Sequence, residues 1–412
     1  MKRLSDALRP GARVFVPALT GESSLLLAEL ANDPERARDV HFIGVQFPGI
    51  GTADYLALHP TVRQTAFFMS PSVRRGMIEN RADLLGLDYP GIVRYLEGME
   101  PVDLAYVQLS PPDAQGHCTA GLCSDFVPIV WQRAKRRVAH INPALPRTRG
   151  SFTVHVSELH DTIEAESALL AFAEATASDI EDRIGRHVAT LIQDHDTLQF
   201  GIGSVPVALA SALTGHRRLK LHTGMVSEAV RRLWEAGALD RDSRITTGVA
   251  LGSPDFYRFV AENQRIWFTD AGRTHDVGAI GAIPRFVAIN SAIEVDLFGQ
   301  VNSERANGSI QAGAGGLPAF AQGALRSRGG RSLICMAATA KRGTVSRIVP
   351  ALNDQGLCTL PRHLADVVVT EHGIAELRGL SLDARAQALI AIAAPEHRDT
   401  LADAWDRMRR KF

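Results

Sequence analysis

The sequence predicts an α/β protein made of two similar units, each with a mostly parallel sheet. Short apolar stretches of β-prone residues alternate with helical stretches, a pattern typical of parallel strands joined by helices. A strand, turn, helix and strand over 13–46 recur in the same order over 197–222. A strand that leads into a Gln-Gly or Gly-Gln loop occurs over 103–116 and again over 286–303. The two halves therefore look like one α/β unit used twice.

The junction between the halves is expected in an amphipathic stretch over 166–193, which predicts one long helix with a break near 178 and 179. We accordingly predict an N-terminal α/β domain over 1–178. The C-terminal α/β domain over 179–412 is expected to carry most of the active site. Ligands of such folds bind beyond the carboxyl ends of strands, so the crevice between two units is the default site.

In the first half, apolar strands end in loops rich in glycine and proline, and serine-containing turns precede the helices. We expect strands over 11–19, 40–46, 103–109, 137–141 and 152–156, and helices over 23–30 and 73–80.

The second half continues this alternation. Ser204 is expected to be the N-cap of a helix with Pro206 in its first turn, and Thr370 the N-cap of a helix that ends a strand–helix segment over 366–379. We expect strands over 197–200, 219–222, 286–289, 290–296 and 332–336.

Composition excludes several classes of function. The 412 residues carry a formal net charge of zero, with 45% hydrophobic and 22% charged residues, as in a globular protein without affinity for nucleic acid or an anionic membrane. No apolar run is long enough to span a membrane, and the four cysteines form no C-x-x-C pair. We expect a soluble cytoplasmic protein with reduced thiols, no metal site and no bound cofactor.

Gly201 and Gly203 follow the strand over 197–200 and precede a helix, so backbone N–H groups of this turn can face an anion. The third glycine of a dinucleotide fingerprint is missing, and an ordinary βα turn explains the same residues. The strand predicted over 219–222 ends at His222, so Thr223 and Gly224 are expected to lie in the same region.

Two acids, Glu294 and Asp296, stand two residues apart, so in a strand both face the same way. Apolar neighbours would partly desolvate these carboxylates and raise a pKa, which indicates a functional site. A surface strand with two solvated acids remains the alternative.

Gly313, Gly315 and Gly316 form a loop that can bring N–H groups against a phosphate or a thioester oxygen. Lys341 belongs to a cationic stretch over 341–347 that could meet phosphates. A linker and a solvated hairpin, respectively, are the alternatives for these two stretches.

These stretches resemble the acetyl-CoA hydrolase/transferase family, in particular 4-hydroxybutyrate CoA-transferase-like enzymes of the class I type. The likeness follows the chain in order over nearly its whole length. It is carried by SPPDAQGHCTAGLCSDF at 110–126, VHVSELHD at 154–161, LQFGIGSVP at 198–206, LHTGMVSEAVRRLWEAGAL at 221–239, NSAIEVDLFGQVNSE at 290–304, GAGGLPAF at 313–320, SRIVP at 346–350 and DVVVTEHGIAELRG at 366–379.

The resemblance implies two similar α/β domains with the active site between them, and a homodimer or higher homo-oligomer. It implies transfer of CoA from a short-chain acyl-CoA to a small free carboxylate. In such enzymes a glutamate attacks the thioester, which gives an acyl-glutamyl anhydride and then a glutamyl-CoA thioester, while backbone N–H groups hold the oxyanion. CoA is thus a substrate and no cofactor is implied.

The chain departs from the family pattern at two positions. Gly224 stands where the nucleophilic glutamate is typical, and Ala319 stands where relatives often carry an acid. Glu294 is the stand-in nucleophile, with Gly201, Gly203, Gly313, Gly315, Gly316 and Lys341 expected to bind CoA or the oxyanion. Three functions follow from this pattern: a CoA-transferase that uses Glu294, an acyl-CoA hydrolase in which Glu294 activates water, and a non-catalytic acyl-CoA-binding homologue.

Overall fold

The computed structural model describes residues 2–51, 53–352 and 356–412. The chain divides into two compact units. The first comprises the residues up to Ala173 together with Arg244–Thr274, and the second comprises Glu174–Ser243 and His275–Phe412. The sequence placed the division at 178/179 and assigned 244–274 to the second domain.

The segment 244–274 belongs with the first unit because its backbone is hydrogen-bonded there. The amide of Ser124 donates to the carbonyl oxygen of Gly248 at 3.0 Å, and the amide of Phe268 donates to that of Arg149 at 2.8 Å. Sequence periodicity does not reveal such long-range pairing.

Apolar strands and serine- or aspartate-capped helices build the first unit. Its strands up to residue 173 are β1 (Arg13–Phe15), β2 (His41–Ile43), β3 (Arg63–Ala66), β4 (Ala82–Leu84), β5 (Leu104–Leu109), β6 (His117–Thr119), β7 (Arg136–Ile141), β8 (Thr153–His155) and β9 (Asp161–Glu164). Its helices there are α1 (Ser24–Asn32), α2 (Pro71–Ile78), α3 (Tyr89–Gly98) and α4 (Val127–Trp131), and short 3₁₀ turns cover Leu4–Ala7, Leu19–Gly21, Pro34–Ala37, Tyr55–Ala57 and Val156–Glu158.

The sheet of the first unit has seven strands in the order β4-β3-β2-β1-β5-β7-β9, and every neighbouring pair is parallel. All six residues of the central strand β5 are buried, as expected for a strand covered on both faces. Strands β6 and β8 form a separate antiparallel pair.

The second unit begins with elements that repeat this alternation. They are α5 (Asp179–Leu191), β10 (Thr197–Phe200), α6 (Ser204–Ala212), β11 (Lys220–His222), β12 (Met225–Val226) and α7 (Glu228–Glu235). The segment that returns to the first unit then contributes β13 (Ile245–Thr247), β14 (Val249–Ala250), α8 (Pro254–Glu262), β15 (Ile266–Phe268) and α9 (Ala271–Thr274), with β13 and β15 parallel.

The remainder of the second unit is a mixture of long strands, short hairpins and helices. It contains α10 (Val277–Ala282), β16 (Phe286–Ser291), β17 (Glu294–Asp296), β18 (Val301–Asn302), β19 (Arg305–Ala306), β20 (Ser309–Ile310), α11 (Leu317–Arg326), β21 (Arg331–Cys335), β22 (Thr339–Ala340), β23 (Val345–Ser346), β24 (Ile348–Val349), β25 (Val367–Thr370), β26 (Gly373–Glu376), α12 (Leu382–Ala391) and α13 (Pro395–Arg409).

Six strands of this unit lie in the order β11-β10-β16-β21-β25-β26. The pairs that join β10 to β11 and to β16, β16 to β21, and β21 to β25 are parallel, and β26 alone is antiparallel to its neighbour. The order β11-β10-β16-β21-β25 matches β2-β1-β5-β7-β9 of the first unit. The predicted class, two similar α/β units with mostly parallel sheets, is therefore confirmed.

Two predicted helices are wrong. Residues 166–178 form neither helix nor strand, and α5 begins only at Asp179. Backbone groups of residues 166–178 are hydrogen-bonded to other segments. The side-chain amide of Asn142 pairs with the backbone N–H and carbonyl oxygen of Ser167, and the amide of Phe172 donates to the carbonyl oxygen of Gly252 at 2.9 Å. These tertiary hydrogen bonds override the helix propensity of an alanine-rich stretch.

The segment 366–379 forms the hairpin β25–β26, not a strand followed by a helix. Thr370 pairs with Gly373 across the turn, and Gly373 has a φ of +146°, which only glycine adopts easily. The Thr370 hydroxyl donates to the carbonyl oxygen of Ile392 at 2.6 Å, so it does not cap a helix.

None of the described helices is both long and apolar enough to cross a membrane.

Candidate active site

Two neighbouring parallel strands, β10 and β11, end in glycine-containing turns. All four residues of β10 are buried, and Gly201 and Gly203 follow it. Thr223 and Gly224 follow β11. The Thr223 hydroxyl donates to the carbonyl oxygen of Phe200 at 2.9 Å, which ties the second turn to the last residue of β10. The structure therefore brings these two turns to the same edge of the sheet.

The turn after β10 is capped differently from the prediction. Gly203, not Ser204, is the N-cap of α6, and its φ of +113° favours glycine. Ser204 is the first helical residue. A Cβ added to Gly201 or Gly203 would meet no atom within 4 Å. There is therefore open space beside these two glycines, next to the N-terminus of α6, the kind of helix end at which anions bind.

The third glycine-containing loop, 313–316, leads directly into α11. Gly315 has a φ of +62°, and Gly316, with a φ of −86°, is the N-cap of the helix. The loop is half-exposed, whereas most of the following helix is buried. The loop is a turn at a helix N-terminus rather than a linker.

The imidazole of His275 lies between two of these glycine turns. A Cβ built on Gly224 would lie 2.9 Å from His275 Cε1 and 3.1 Å from its Nε2. A Cβ built on Gly316 would lie 2.6 Å from Nε2 and 2.8 Å from Cδ2. Contacts under 3.0 Å are essentially absent from real Cβ atoms, so the ring would have to move if either glycine carried a side chain. The imidazole is 4% exposed.

Aromatic and aliphatic packing holds the His275 ring in this place. Its centroid lies 4.6 Å from that of Phe320, which stacks at 6.3 Å on Phe286 at the start of β16. Ile280 of α10 belongs to the same buried cluster. A Cβ on Gly323 would lie 2.4 Å from Ile280 Cγ2, so a glycine there lets α10 approach α11 closely. The position of His275 is thus set by buried packing on two helices.

Glu294 and Asp296 lie on β17, but their environments differ. Glu294 is half-buried, and its Oε1 accepts a hydrogen bond from Asn302 Nδ2 at 2.9 Å. Asp296 is fully buried, and both of its carboxylate oxygens are used within the fold. They accept from the amides of Phe298, Gln300 and Leu352 and from Gln300 Nε2. Asp296 is therefore structural, and Glu294 is the acid of the pair with access to solvent.

Lys341 is exposed at the turn of the β22–β23 hairpin, with a φ of +49°. Its carbonyl oxygen accepts from the Thr344 hydroxyl at 2.9 Å. Lys341 therefore lies in a solvated hairpin, which was the alternative for this stretch. Its binding of CoA stays a prediction.

Glu371 follows β25 at the edge of the sheet where the other parallel strands end. It is 9% exposed, and its Oε2 accepts a hydrogen bond from the amide of Ala338 at 2.8 Å. This contact fixes the start of the β22–β23 hairpin. Sequence reasoning had placed Glu371 at a helix start, which is wrong because the chain turns back as β26.

The family follows from comparison with known proteins. The sequence profile of the acetyl-CoA hydrolase/transferase N-terminal domain matches residues 4–174, and that of the C-terminal domain matches residues 252–405. The chain belongs to the acetyl-CoA hydrolase/transferase family.

Curated relatives are similar over nearly the full chain. The chain is 32% identical to a 4-hydroxybutyrate coenzyme A transferase of Clostridium kluyveri, over 95% of this chain and 92% of that protein. It is 34% identical to a succinyl-CoA:cyclohexane-1-carboxylate CoA transferase of Geobacter metallireducens, over 98% and 93%. Among solved structures, RipA from Yersinia pestis superposes with a TM-score of 0.91 at 26% identity, covering 99% of this chain and 97% of that one.

Sequence reasoning missed His275. The residue stands in an unremarkable Thr-His-Asp stretch before α10, far from every quoted motif. The available signal was indirect. Glycine stands at both 224 and 316, and one side chain that packs against both positions explains why each lacks a Cβ. Only the fold shows that the neighbour is an imidazole.

Proposed function

We propose that this chain acts on acyl-CoA thioesters and transfers CoA from a short-chain acyl-CoA to a small free carboxylate. The observation that carries the proposal is the convergence of the turns at Gly224 and Gly316 on one imidazole at the carboxyl edge of a parallel sheet. Exposed backbone N–H groups at such an edge can hold the oxyanion of a reacting thioester. The names of the two curated relatives, both CoA transferases, support the same reaction class.

In this proposal Glu294 is the nucleophile. Its carboxylate oxygen attacks the thioester carbonyl carbon, the C–S bond breaks, and CoA leaves as the thiolate. The thiolate then attacks the glutamyl carbonyl of the anhydride, which releases the donor acid and leaves a glutamyl-CoA thioester. An acceptor carboxylate reverses the same two steps and leaves as its CoA thioester. The reaction needs no cofactor beyond CoA as substrate.

The residues proposed to bind CoA or the oxyanion are those of the glycine turns and one cation. Open space beside Gly201 and Gly203, and the half-exposed loop at 313–316, support this role. Lys341 is proposed to meet a CoA phosphate because its exposed side chain is free to reach a ligand at the surface.

Trapping tests the role of Glu294. The protein is incubated with acetyl-, propionyl- or butyryl-CoA and reduced with borohydride, and its peptides are examined by mass spectrometry. We expect reduction of the glutamyl thioester at Glu294 in the wild type and none in Glu294→Gln. Glu304→Gln, a half-buried neighbour bound to Thr359, is the matched control and should still be trapped at Glu294. Transferase activity with an unmodified Glu294 would refute the assignment.

A hydrolase is the second candidate, and a specific observation favours it. Position 224 carries no carboxylate, and a side chain that began there would meet the His275 ring at 2.9 Å. Release of free CoA from acyl-CoA without any carboxylate acceptor is the expected result for this candidate. A strict requirement for an acceptor would exclude it, and tight CoA binding without turnover would favour a non-catalytic homologue.

We also propose that the chain is cytoplasmic, and that it forms a homodimer or higher homo-oligomer, as the resemblance implies. Light scattering on the purified protein tests this. A mass of two or more chains is expected, and the mass of a single chain over the working concentration range would contradict it.

A further inference from the structure

The imidazole of His275 and a side chain at position 224 compete for the same space. The first atom of any side chain at 224 would lie 2.9 Å from His275 Cε1 and 3.1 Å from Nε2. The resemblance puts the nucleophilic glutamate of related enzymes at this position. In this chain an imidazole therefore lies against the point at which that side chain would begin.

The atom that faces both glycine turns is Nε2. It lies within 3.1 Å of the Cβ position of Gly224 and within 2.6 Å of that of Gly316. Both glycines are half-exposed, whereas His275 is 4% exposed. A thioester held against the backbone of these turns would thus contact a largely desolvated imidazole.

Packing of this kind is what a catalytic group requires. The ring is fixed against Phe320, itself 3% exposed and stacked on Phe286. Rotation of His275 away from the turns would break its contact with Phe320. A group held in one orientation beside a reacting atom contributes through positioning as well as through proton transfer.

We propose that His275 is a catalytic residue of this chain, the general base that activates water for hydrolysis of an acyl-CoA bound at the Gly224 and Gly316 turns. This inference rests on the acyl-CoA site proposed above and gives its hydrolase candidate a base other than Glu294. Water attacks the thioester carbonyl carbon while His275 Nε2 takes its proton. The oxyanion is held by backbone N–H groups of the turns. The C–S bond then breaks, the imidazolium gives its proton to the CoA sulfur, and free acid and CoA thiol leave.

The experiment compares wild type, His275→Gln and His275→Ala as full-length purified chains. Free CoA is followed with acetyl-, propionyl- and butyryl-CoA, each with and without acetate. We expect the kcat for acceptor-free CoA release to fall by about 10²-fold or more in both variants, because neither accepts a proton from water. We expect KM to stay within about threefold, because acyl-CoA is bound mainly by other groups.

A second variant keeps the test independent of the histidine itself. Gly224→Ala retains His275 but places a methyl group 2.9 Å from its ring, so acceptor-free CoA release should fall although the base is present. Gly215→Ala, whose added Cβ would meet nothing within 4 Å, is the matched control and should behave as wild type. The double variant Gly224→Glu/His275→Ala introduces a carboxylate at position 224 and removes the imidazole that would collide with it. Acetate-dependent CoA transfer should then rise relative to hydrolysis.

The outcomes separate this inference from the proposed function. Acceptor-free hydrolysis that persists at the wild-type kcat in His275→Gln overturns the role of His275 alone. Acetate-dependent transfer without hydrolysis in the wild type, unchanged in His275→Gln, overturns it too and leaves the transferase in place. A wild type that neither binds nor turns over any of the three acyl-CoAs overturns the site and the inference together.

Discussion

At the residue scale, the site depends on glycines that make room for another side chain. Gly224 and Gly316 belong to different turns, and each would collide with the same imidazole if it carried a Cβ. Neither glycine has a positive φ, so the need for glycine is steric and not conformational. A single methyl group at either position therefore tests the geometry of His275 without straining the backbone.

Gly316→Ala should displace His275, because its Cβ would lie 2.6 Å from Nε2 and 3.1 Å from Phe320 Cε2. A shift of the ring by about 1 Å is expected to lower kcat/KM for acyl-CoA by up to about 10²-fold. Steady-state kinetics with butyryl-CoA measures this, with Gly215→Ala as control. An unchanged kcat/KM in a folded Gly316→Ala protein would show that His275 lies outside the reacting region.

A buried acid in the first unit gives a second prediction at the residue scale. Burial and the negative charge of Asp270 raise the pKa of Asp125 from 3.8 to about 7. Its backbone is paired with that of Asp270, and its side chain has little exposure to solvent. The folded protein therefore keeps a proton on Asp125 at pH values at which the unfolded chain has lost it.

The sign of the pH dependence follows from this raised pKa. Below about pH 4 both states are protonated and Asp125 contributes nothing to the pH dependence. Between about pH 4 and pH 7 only the unfolded chain releases the proton, so stability falls as pH rises, by up to about 4 kcal/mol in total. In Asp125→Asn this decline should be absent from urea unfolding of the full chain, while Asp83→Asn, an exposed acid on β4, should retain it. Parallel stability profiles for wild type and Asp125→Asn would contradict the assignment.

At the element scale, a side-chain cap at Ser178 sets where α5 begins. Ser178 caps α5 in a reciprocal arrangement: its side chain accepts from the amide of Ile180 at 3.3 Å, and its own amide donates to Glu181 Oε2 at 2.9 Å. The sequence placed a break at this residue but continued the helix on its N-terminal side. The cap explains why α5 starts where it does, and tertiary hydrogen bonds explain why 166–178 is not helical.

Ser178→Ala should destabilise the second unit by about 1 kcal/mol, because the amide of Ile180 and the carboxylate of Glu181 lose their hydrogen bonds to the serine hydroxyl. Chemical denaturation followed by circular dichroism measures the change. Ser211→Ala on the exposed side of α6 is the control and should be within about 0.5 kcal/mol of wild type. Equal effects of the two substitutions would show that the cap does not stabilise α5.

At the scale of the whole molecule, the class of fold was predictable from the sequence. Strands that alternate with helices along the chain are typical of parallel sheets covered by helices. The strands over 137–141 and 197–200 agree with β7 and β10 to within one residue. The return of 244–274 to the first unit was not predictable, because it depends on backbone pairs between residues more than a hundred positions apart, such as Ser124 and Gly248.

The site was predictable in its backbone and not in its side chains. Glycine at 203 and 315 is required by positive φ, a property that a turn pattern indicates. The proximity of Gly224 to Gly316 depends on how two strands and two helices pack, and no local pattern encodes it. His275 was missed for the same reason: its role follows from what surrounds it, not from its own neighbours in sequence.

The measurement that tests the central claim most directly is a crystal structure of the full chain with CoA. The claim predicts that the CoA sulfur lies within about 4 Å of the backbone of Gly224 and Gly316, beside the His275 ring. CoA bound with its sulfur remote from both turns, while those turns stay unoccupied, would contradict it.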